Sequence, residues 1–217
     1  MASNAYTPKN VLKRFLKSAD KEALEAMAYN KNLDKKFAQE LIEDEYYARI
    51  IAQNILLDEE LFETLLEYKE DLAKNETLSD TMQERLVNLN DRETFLVLAQ
   101  NSALNEKIVE KLLSLNDDRL NFSLYANSAT ASKLLQEAYK EEKYHLALAQ
   151  NSAAPKDILE ALYARGESEI LDKIARNEST PVEILYQLQL DSRFDRAVKT
   201  NRAFGEHIQS ENIGWLI

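Results

Sequence analysis

The sequence predicts an all-α fold made of tandem helical repeats, and three observations support this prediction. An asparagine recurs at steps of 21 to 26 residues along the whole chain. The residue seven positions after each of these asparagines is apolar in every copy. The 217 residues include only 3 Gly and 3 Pro, which argues against a fold of short strands joined by tight turns. A fixed period of this length is the signature of a repeat architecture.

The recurring asparagine marks the start of each repeat. The nine copies are Asn4, Asn30, Asn54, Asn75, Asn101, Asn127, Asn151, Asn177 and Asn201. All steps are 24 or 26 residues except the step from Asn54 to Asn75, which is 21. Because the amide recurs in every repeat, we interpret it as a corner residue that caps helix ends and bonds backbone groups of the adjacent repeat. A ligand-binding ladder is the alternative interpretation.

The first helix of each repeat is predicted to start four residues after the asparagine. Asp, Ser and Asn at that position accept hydrogen bonds from the first turn, and Pro suits the first helical position because it has no N–H. The apolar residues seven and eleven positions after the asparagine lie on one face, one turn apart. The start positions are Pro8, Asp34, Asp58, Ser79, Asn105, Pro155 and Pro181, with Ala131 and Gly205 as weaker members.

A second helix is predicted to follow a short polar link and to end at the next asparagine. The links include Asn88–Asn90, Asn116–Asp118 and Gly166. This pattern predicts a right-handed α-solenoid of about eight two-helix repeats, each of about 24–26 residues. Because the period is unbroken and stacked repeats share one core, we expect a single helical-repeat domain over residues 1–217.

The repeated strings resemble the leucine-rich repeat variant family. The strings that carry the resemblance are Leu98-Ala99-Gln100-Asn101, Leu148-Ala149-Gln150-Asn151 with Pro155, and Ile174-Ala175-Arg176-Asn177 with Pro181. The resemblance implies a right-handed superhelix of short paired helices, in which one helix of a pair can be 3₁₀. Family members can carry an iron–sulfur cluster on a cysteine-rich segment, but this chain has no cysteine, so no cofactor is expected. HEAT-like repeats are the neighbouring alternative.

The charge of the chain bounds its partners. The formal net charge is −11, whereas residues 1–17 hold Lys9, Lys13, Arg14 and Lys17 and no acid. An acidic surface repels phosphate backbones, so nucleic-acid binding is disfavoured. The basic first helix is interpreted either as a solvated helix or as a contact for an anionic surface or an acidic partner.

The sequence offers no constellation of residues suited to catalysis. The two histidines, His145 and His207, are more than two repeats apart, and three glycines leave no phosphate-binding loop. We therefore expect no enzyme activity and no catalytic, cofactor or metal site. No segment approaches the ~20 apolar residues of a spanning helix and no signal peptide is evident, so we expect no membrane insertion and a cytoplasmic location.

One candidate interface stands out because it departs from its own repeat. The position five residues before the asparagine is charged in most second helices but is apolar in three consecutive repeats, at Leu96, Phe122 and Leu146. Charged residues three positions earlier flank them, at Glu93, Arg119 and Lys143. An apolar strip with a charged rim is a candidate partner-binding surface. The alternative is that the central helices are rotated, so that the strip packs inside.

These observations predict a non-enzymatic scaffold that binds a protein or peptide. One alternative is a HEAT-like repeat enzyme or nucleic-acid processor, which the net charge disfavours. Another is a structural assembly unit that associates end to end, because the chain starts directly on the repeat motif at Met1–Asn4 and ends in the apolar Ile213–Ile217.

Overall fold

The structure, a computed structural model, describes residues 2–4, 6–18 and 20–211. Within these ranges it is all-α, with no β-strand, which confirms the predicted fold class. The chain divides into two compact units, Met1–Leu112 and Leu113–Ile217. The predictions of a right-handed solenoid and of one continuous domain over residues 1–217 stay predictions. The apolar Ile213–Ile217 segment, on which the end-to-end prediction rests, lies outside the described residues.

In the unit Met1–Leu112, helices come in pairs. The second helices of successive repeats, α2, α4, α6 and α8, pack against one another. Their buried faces carry Met27, Ile51, Leu72 and Leu98, each from the apolar position three residues before an asparagine. The helices are α1 (Lys9–Ser18), α2 (Lys21–Ala28), α3 (Lys35–Leu41), α4 (Glu45–Asn54), α5 (Glu59–Thr64), a 3₁₀ helix (Leu66–Tyr68), α6 (Lys69–Leu72), α7 (Asp80–Asn88), α8 (Arg92–Leu98) and α9 (Glu106–Leu113).

The unit Leu113–Ile217 repeats this arrangement. Helices α10, α12, α14 and α16 pack in succession, and their core includes Leu148, Ile174 and Val198, all fully buried. The helices are α10 (Asp118–Ala126), α11 (Ser132–Lys140), α12 (His145–Gln150), α13 (Lys156–Ala164), α14 (Ser168–Arg176), α15 (Val182–Gln189), α16 (Asp195–Lys199) and α17 (Arg202–Ser210).

The predicted helix starts are confirmed in most repeats. Asp34, Asp58 and Ser79 accept hydrogen bonds from first-turn N–H groups as N-caps of α3, α5 and α7. Pro155 and Pro181 also occupy the N-cap, one position earlier than expected, with extended ψ angles of 143° and 136°.

The last repeat departs from the prediction. Gly205 lies inside α17 rather than at its start. The Oδ1 of Asn201 accepts from the backbone N of Phe204 at 3.1 Å, so Asn201 itself caps α17. The helix therefore begins directly after the asparagine, and no polar link separates the two.

The corner role of the asparagines is confirmed by their hydrogen bonds. The Nδ2 of each buried amide donates to two backbone carbonyl oxygens of the preceding repeat at 2.7–3.1 Å, in Asn30, Asn75, Asn101, Asn151, Asn177 and Asn201. The Oδ1 accepts from the backbone N two residues later, in Asn30, Asn75, Asn101, Asn127, Asn151 and Asn177. One side chain thus shapes its own corner and links it to the neighbouring repeat.

Asn54 is the exception in this row. It is the last residue of α4, half-buried, and its Nδ2 donates to Ile50 O of the same helix at 2.8 Å. Asn75 then reaches the carbonyls of Ala52 and Ile55 rather than that of Asn54. In the short repeat between Asn54 and Asn75, a 3₁₀ helix (Leu66–Tyr68) precedes a second helix, α6, of only 4 residues. The local shortening therefore shifts the corner contact by one residue.

The predicted links adopt left-handed backbone conformations. Asn90, Asn116 and Gly166 have φ angles of 54°, 53° and 72°, the conformation that ends a helix and that Asn and Gly adopt most readily. Glu142 and Tyr144 have φ angles of 54° and 55°, which the sequence does not signal, because both residue types disfavour this region.

Candidate functional site

The structure places the three predicted interface residues in different surroundings. Leu96, on α8, is only 5% exposed, which agrees with the core-packing alternative for this residue. Phe122 on α10 and Leu146 on α12 are half-buried. These two helices pack together within the unit Leu113–Ile217. The candidate site is therefore the Phe122–Leu146 surface, formed by α10, α12 and the adjoining face of α14.

Helix α10 is fixed at its start by a strong cap. The Oδ1 of Asp117 accepts from the backbone N of Arg119 at 3.0 Å and of Leu120 at 3.1 Å. Leu120 faces the core at 2% exposure, whereas Arg119 is exposed. The Arg119 guanidinium forms no ion pair with the residues that the structure describes. Arg119 is thus an exposed cation in the first turn of α10.

Helix α12 is held against α10 through a tyrosine. The hydroxyl of Tyr144 donates to Asp118 Oδ1 at 3.0 Å and accepts from Asn121 Nδ2 at 3.3 Å. Its ring lies 4.9 Å from that of Tyr125, and burial together with the neighbouring Tyr144 raises the pKa of Tyr125. Tyr144, in its left-handed conformation, is the N-cap of α12, so the helix begins at His145, one residue before Leu146.

The link before α12 also fixes Lys143. Its Nζ lies 3.1 Å from Glu141 Oε2, and this hydrogen bond raises the pKa of Lys143. The ammonium stays exposed and charged at neutral pH. Glu93, the third predicted rim residue beside Leu96, is exposed and lies 3.9 Å from Arg92. Thus the flanking charges predicted from the sequence are all at the surface, even where the apolar residue between them is not.

An open cavity of about 460 Å³ adjoins Leu146. Its apolar wall includes Leu146 and Phe194, and its rim includes Glu169, Lys173 and Arg193. The guanidinium of Arg193 lies 5.0 Å above the Phe194 ring. This mixture of apolar wall and charged rim suits a single inserted side chain of a partner.

The Arg193 side chain contacts a carboxylate as well as the Phe194 ring. Asp191 accepts from Arg193 Nη2 at 2.6 Å and from Nε at 3.0 Å through the same carboxylate oxygen, Oδ2. These hydrogen bonds lower the pKa of Asp191 and raise that of Arg193. A planar cation held by a carboxylate and stacked on a ring is pre-organised. Sequence reasoning missed this residue, because the charge at 193 matches that of other repeats.

The titratable groups elsewhere have structural explanations. The strongest shift is that of Asp91, whose pKa falls to about 2 because it caps α8 through Thr94 and pairs with Lys69. His145 lies against Tyr139 and His207 against Tyr186. Among the described residues, no group of three or more His, Cys, Asp or Glu side chains is placed to hold a metal ion.

Comparison with family models, curated proteins and solved structures gives no match for this chain. In the described ranges, no helix combines the length and the apolar character needed to cross a membrane.

Proposed function

We propose that this chain is a non-enzymatic α-solenoid scaffold, similar to leucine-rich repeat variant proteins, that binds a protein or peptide on the Phe122–Leu146 surface. Two features support the repeat architecture. The sequence period covers the whole chain, and the buried asparagine amides join their corners to the preceding ones by two hydrogen bonds each. Such stacks expose long surfaces whose outward residues are free to vary.

The observation that carries the proposal is the incomplete burial of two large apolar side chains on packed helices. Phe122 and Leu146 occupy a position that is charged in most other repeats, and Leu146 opens into the cavity of about 460 Å³. A binding surface concentrates its free energy in such partly buried aromatic anchors. Arg119 and Lys143 beside them favour a partner segment that carries acids around an apolar residue.

A peptide selection tests the proposal. Random peptides displayed on phage are selected on the purified chain, and the affinity of the selected peptides is measured for the wild type and for Phe122→Asp. We expect the substitution to weaken binding at least about tenfold, the effect of losing a central aromatic anchor. Leu190→Asp is the matched control, because Leu190 is 82% exposed in the same unit but outside this surface.

Circular dichroism separates loss of binding from loss of fold. If Phe122→Asp unfolds the chain, Phe122 is a core residue and the proposed surface is wrong. The proposed surface is also wrong if the folded Phe122→Asp variant binds the selected peptides with wild-type affinity. The same conclusion holds if Leu190→Asp lowers the affinity for these peptides as much as Phe122→Asp does.

A further inference from the structure

A second open cavity lies between α1 and α3, in the unit Met1–Leu112. It has a volume of about 580 Å³ and is lined mainly by Lys9, Lys13, Leu16, Lys17, Lys36 and Phe37. None of these residues belongs to the Phe122–Leu146 surface, so a role for this cavity is independent of the function proposed for that surface. We call this feature the α1–α3 groove.

The rim of the α1–α3 groove is cationic. Lys9, Lys13 and Lys17 succeed one another at intervals of four residues, which places them in a row along one face of α1. Lys9 is neutralised by Asp34, whose Oδ2 lies 2.5 Å from its Nζ. Lys13 and Lys17 form no ion pair with the described residues, and neither does Lys36 on α3. Three ammonium groups therefore line the groove without an ion-pair partner among the described residues, and beside the paired Asp34 the lining holds one further acid, Glu40.

The next repeat pairs the lysine that corresponds to Lys9 with two acids rather than one. Between α3 and α5, Lys35 Nζ lies 2.7 Å from both Asp58 and Glu60. Gln39 also donates to Glu60 at 3.2 Å. The two acids at the start of α5 thus neutralise the Lys35 ammonium on α3. At the α1–α3 groove, by contrast, the lysines outnumber the acids that line it, in a chain whose net charge is −11.

The floor of the α1–α3 groove is apolar and only partly covered. Phe37 belongs to the row of residues seven positions after an asparagine, in which Leu61, Met82 and Ile108 are buried. Phe37 itself is half-buried, as is Leu16 from α1. A groove with a partly exposed aromatic floor and a cationic rim matches a ligand that has an apolar side chain between negative charges.

We propose that the α1–α3 groove binds an acidic segment of a partner protein. One large apolar side chain of that segment covers Leu16 and Phe37, and flanking carboxylates meet Lys13, Lys17 and Lys36. A protein segment is favoured over a polyphosphate or a lipid surface because Asp34 and Glu40 also line the groove. A uniformly charged phosphate array would be repelled by those two carboxylates. A peptide can place its acids beside the lysines alone and leave Asp34 and Glu40 uncontacted.

The probe is a fluorescent peptide of about 12 residues, in which glutamates flank one central phenylalanine at helical spacing. Its binding to the full chain is measured by fluorescence anisotropy. Two control peptides replace all glutamates by glutamine or the phenylalanine by alanine. The protein variants are Lys13→Glu/Lys17→Glu and, as a control with the same change of net charge, Lys133→Glu/Lys140→Glu on α11, where both lysines are exposed.

We expect the wild type to bind the probe, and both control peptides to bind at least about fivefold more weakly. Lys13→Glu/Lys17→Glu should lower the affinity for the probe at least about tenfold, whereas Lys133→Glu/Lys140→Glu should change that affinity less than about twofold. Raising the salt from about 50 mM to about 300 mM should also weaken binding, because exposed charges are screened.

Several outcomes would overturn the proposal. The proposal is wrong if the probe does not bind, or if the two lysine double variants lower its affinity equally. It is also wrong if the peptide with alanine in place of phenylalanine binds as tightly as the probe. Tighter binding of anionic phospholipid vesicles or of a single-stranded oligonucleotide than of the peptide would assign the groove to phosphate ligands instead. Both double variants alter exposed side chains, and circular dichroism confirms that each is folded before binding is compared.

Discussion

Replacing one corner asparagine tests the hydrogen-bond account of the fold directly. Asn101 is 5% exposed, and its Nδ2 donates to Ala73 O at 3.0 Å and to Asn75 O at 2.9 Å, while its Oδ1 accepts from Ala103 N at 2.9 Å. Asn101→Ala removes all three hydrogen bonds. The two carbonyl groups lie in buried surroundings, whereas Ala103 is exposed and its N–H is accessible to water.

The expected loss of stability depends on this difference. A hydrogen bond contributes about 1 kcal/mol net, and a buried group left without a partner costs about 1–3 kcal/mol. With two carbonyls stranded, each at the lower end of that cost, and the N–H hydrated, we expect Asn101→Ala to lower the free energy of unfolding by about 2 kcal/mol. At a denaturant slope of about 2 kcal/mol per M, the urea midpoint should fall by about 1 M.

The chain contains its own control in Asn54, which belongs to the same unit. Its Nδ2 donates to Ile50 O of its own helix, so Asn54→Ala removes a bond within one helix rather than between repeats, and it gains helix propensity. We expect its urea midpoint, followed by far-UV circular dichroism, to stay within about 0.3 M of the wild type. Equal midpoints for Asn101→Ala and Asn54→Ala would refute the corner account.

Two further predictions concern the backbone and one ionisable cap. Gly166→Ala should destabilise the chain by about 1 kcal/mol, because a φ of 72° disfavours a residue with a side chain. Gly205→Ala should instead stabilise it by about 0.5–1 kcal/mol, because Gly205 lies inside α17 with open space around it. Thermal melts compare the two variants, and equal shifts of the melting temperature would contradict the two backbone conformations. The pKa of Asp91 is lowered from 3.8 to about 2 on folding, so its stabilising charge is fully present above about pH 4 and is lost as the pH falls through about 2. Asp91→Asn keeps a capping oxygen but cannot ionise, so the wild type's stability advantage over it should shrink across that window in urea titrations; a constant difference would contradict the shift.

The sequence predicts the repeating part of this molecule well, because the repeating part is set by local rules. The asparagine spacing, the caps at Asp34 and Ser79, and the left-handed link at Gly166 each depend on one residue type with one physical property. Those properties act within a few residues and recur in most repeats. The all-α class and most helix boundaries result from them.

The failures occur where the local pattern was changed. Gly205 was expected at a helix start, but Asn201 caps α17 directly, so the helix begins earlier in the sequence, at Arg202. Asn54 matches its row in sequence and still misses its contact, because α4 continues through it and its Nδ2 donates within that helix. In both places the contact of the asparagine depends on where the adjacent helix begins or ends. The residue type at one repeat position does not determine that boundary.

The candidate surfaces were only partly predictable for a different reason. An apolar residue at the same repeat position is buried at Leu96 but half-buried at Phe122 and Leu146. The burial of such a residue depends on which tertiary neighbours cover it, and a pattern within one repeat does not specify those neighbours. The charges of α1 were visible in the sequence, but it did not show that Lys9 is paired with Asp34 whereas Lys13 and Lys17 have no ion-pair partner among the described residues.

The two proposed sites can be separated by their dependence on salt. Binding at the Phe122–Leu146 surface should depend mainly on apolar burial, since Lys143 is already paired with Glu141 and the cavity rim carries both signs of charge. Binding in the α1–α3 groove depends on lysines that have no ion-pair partner among the described residues, so its affinity should fall more steeply as salt screens them. A partner that loses affinity with Phe122→Asp but not with Lys13→Glu/Lys17→Glu, and whose affinity depends only weakly on salt, occupies the first surface. The opposite pattern assigns it to the groove.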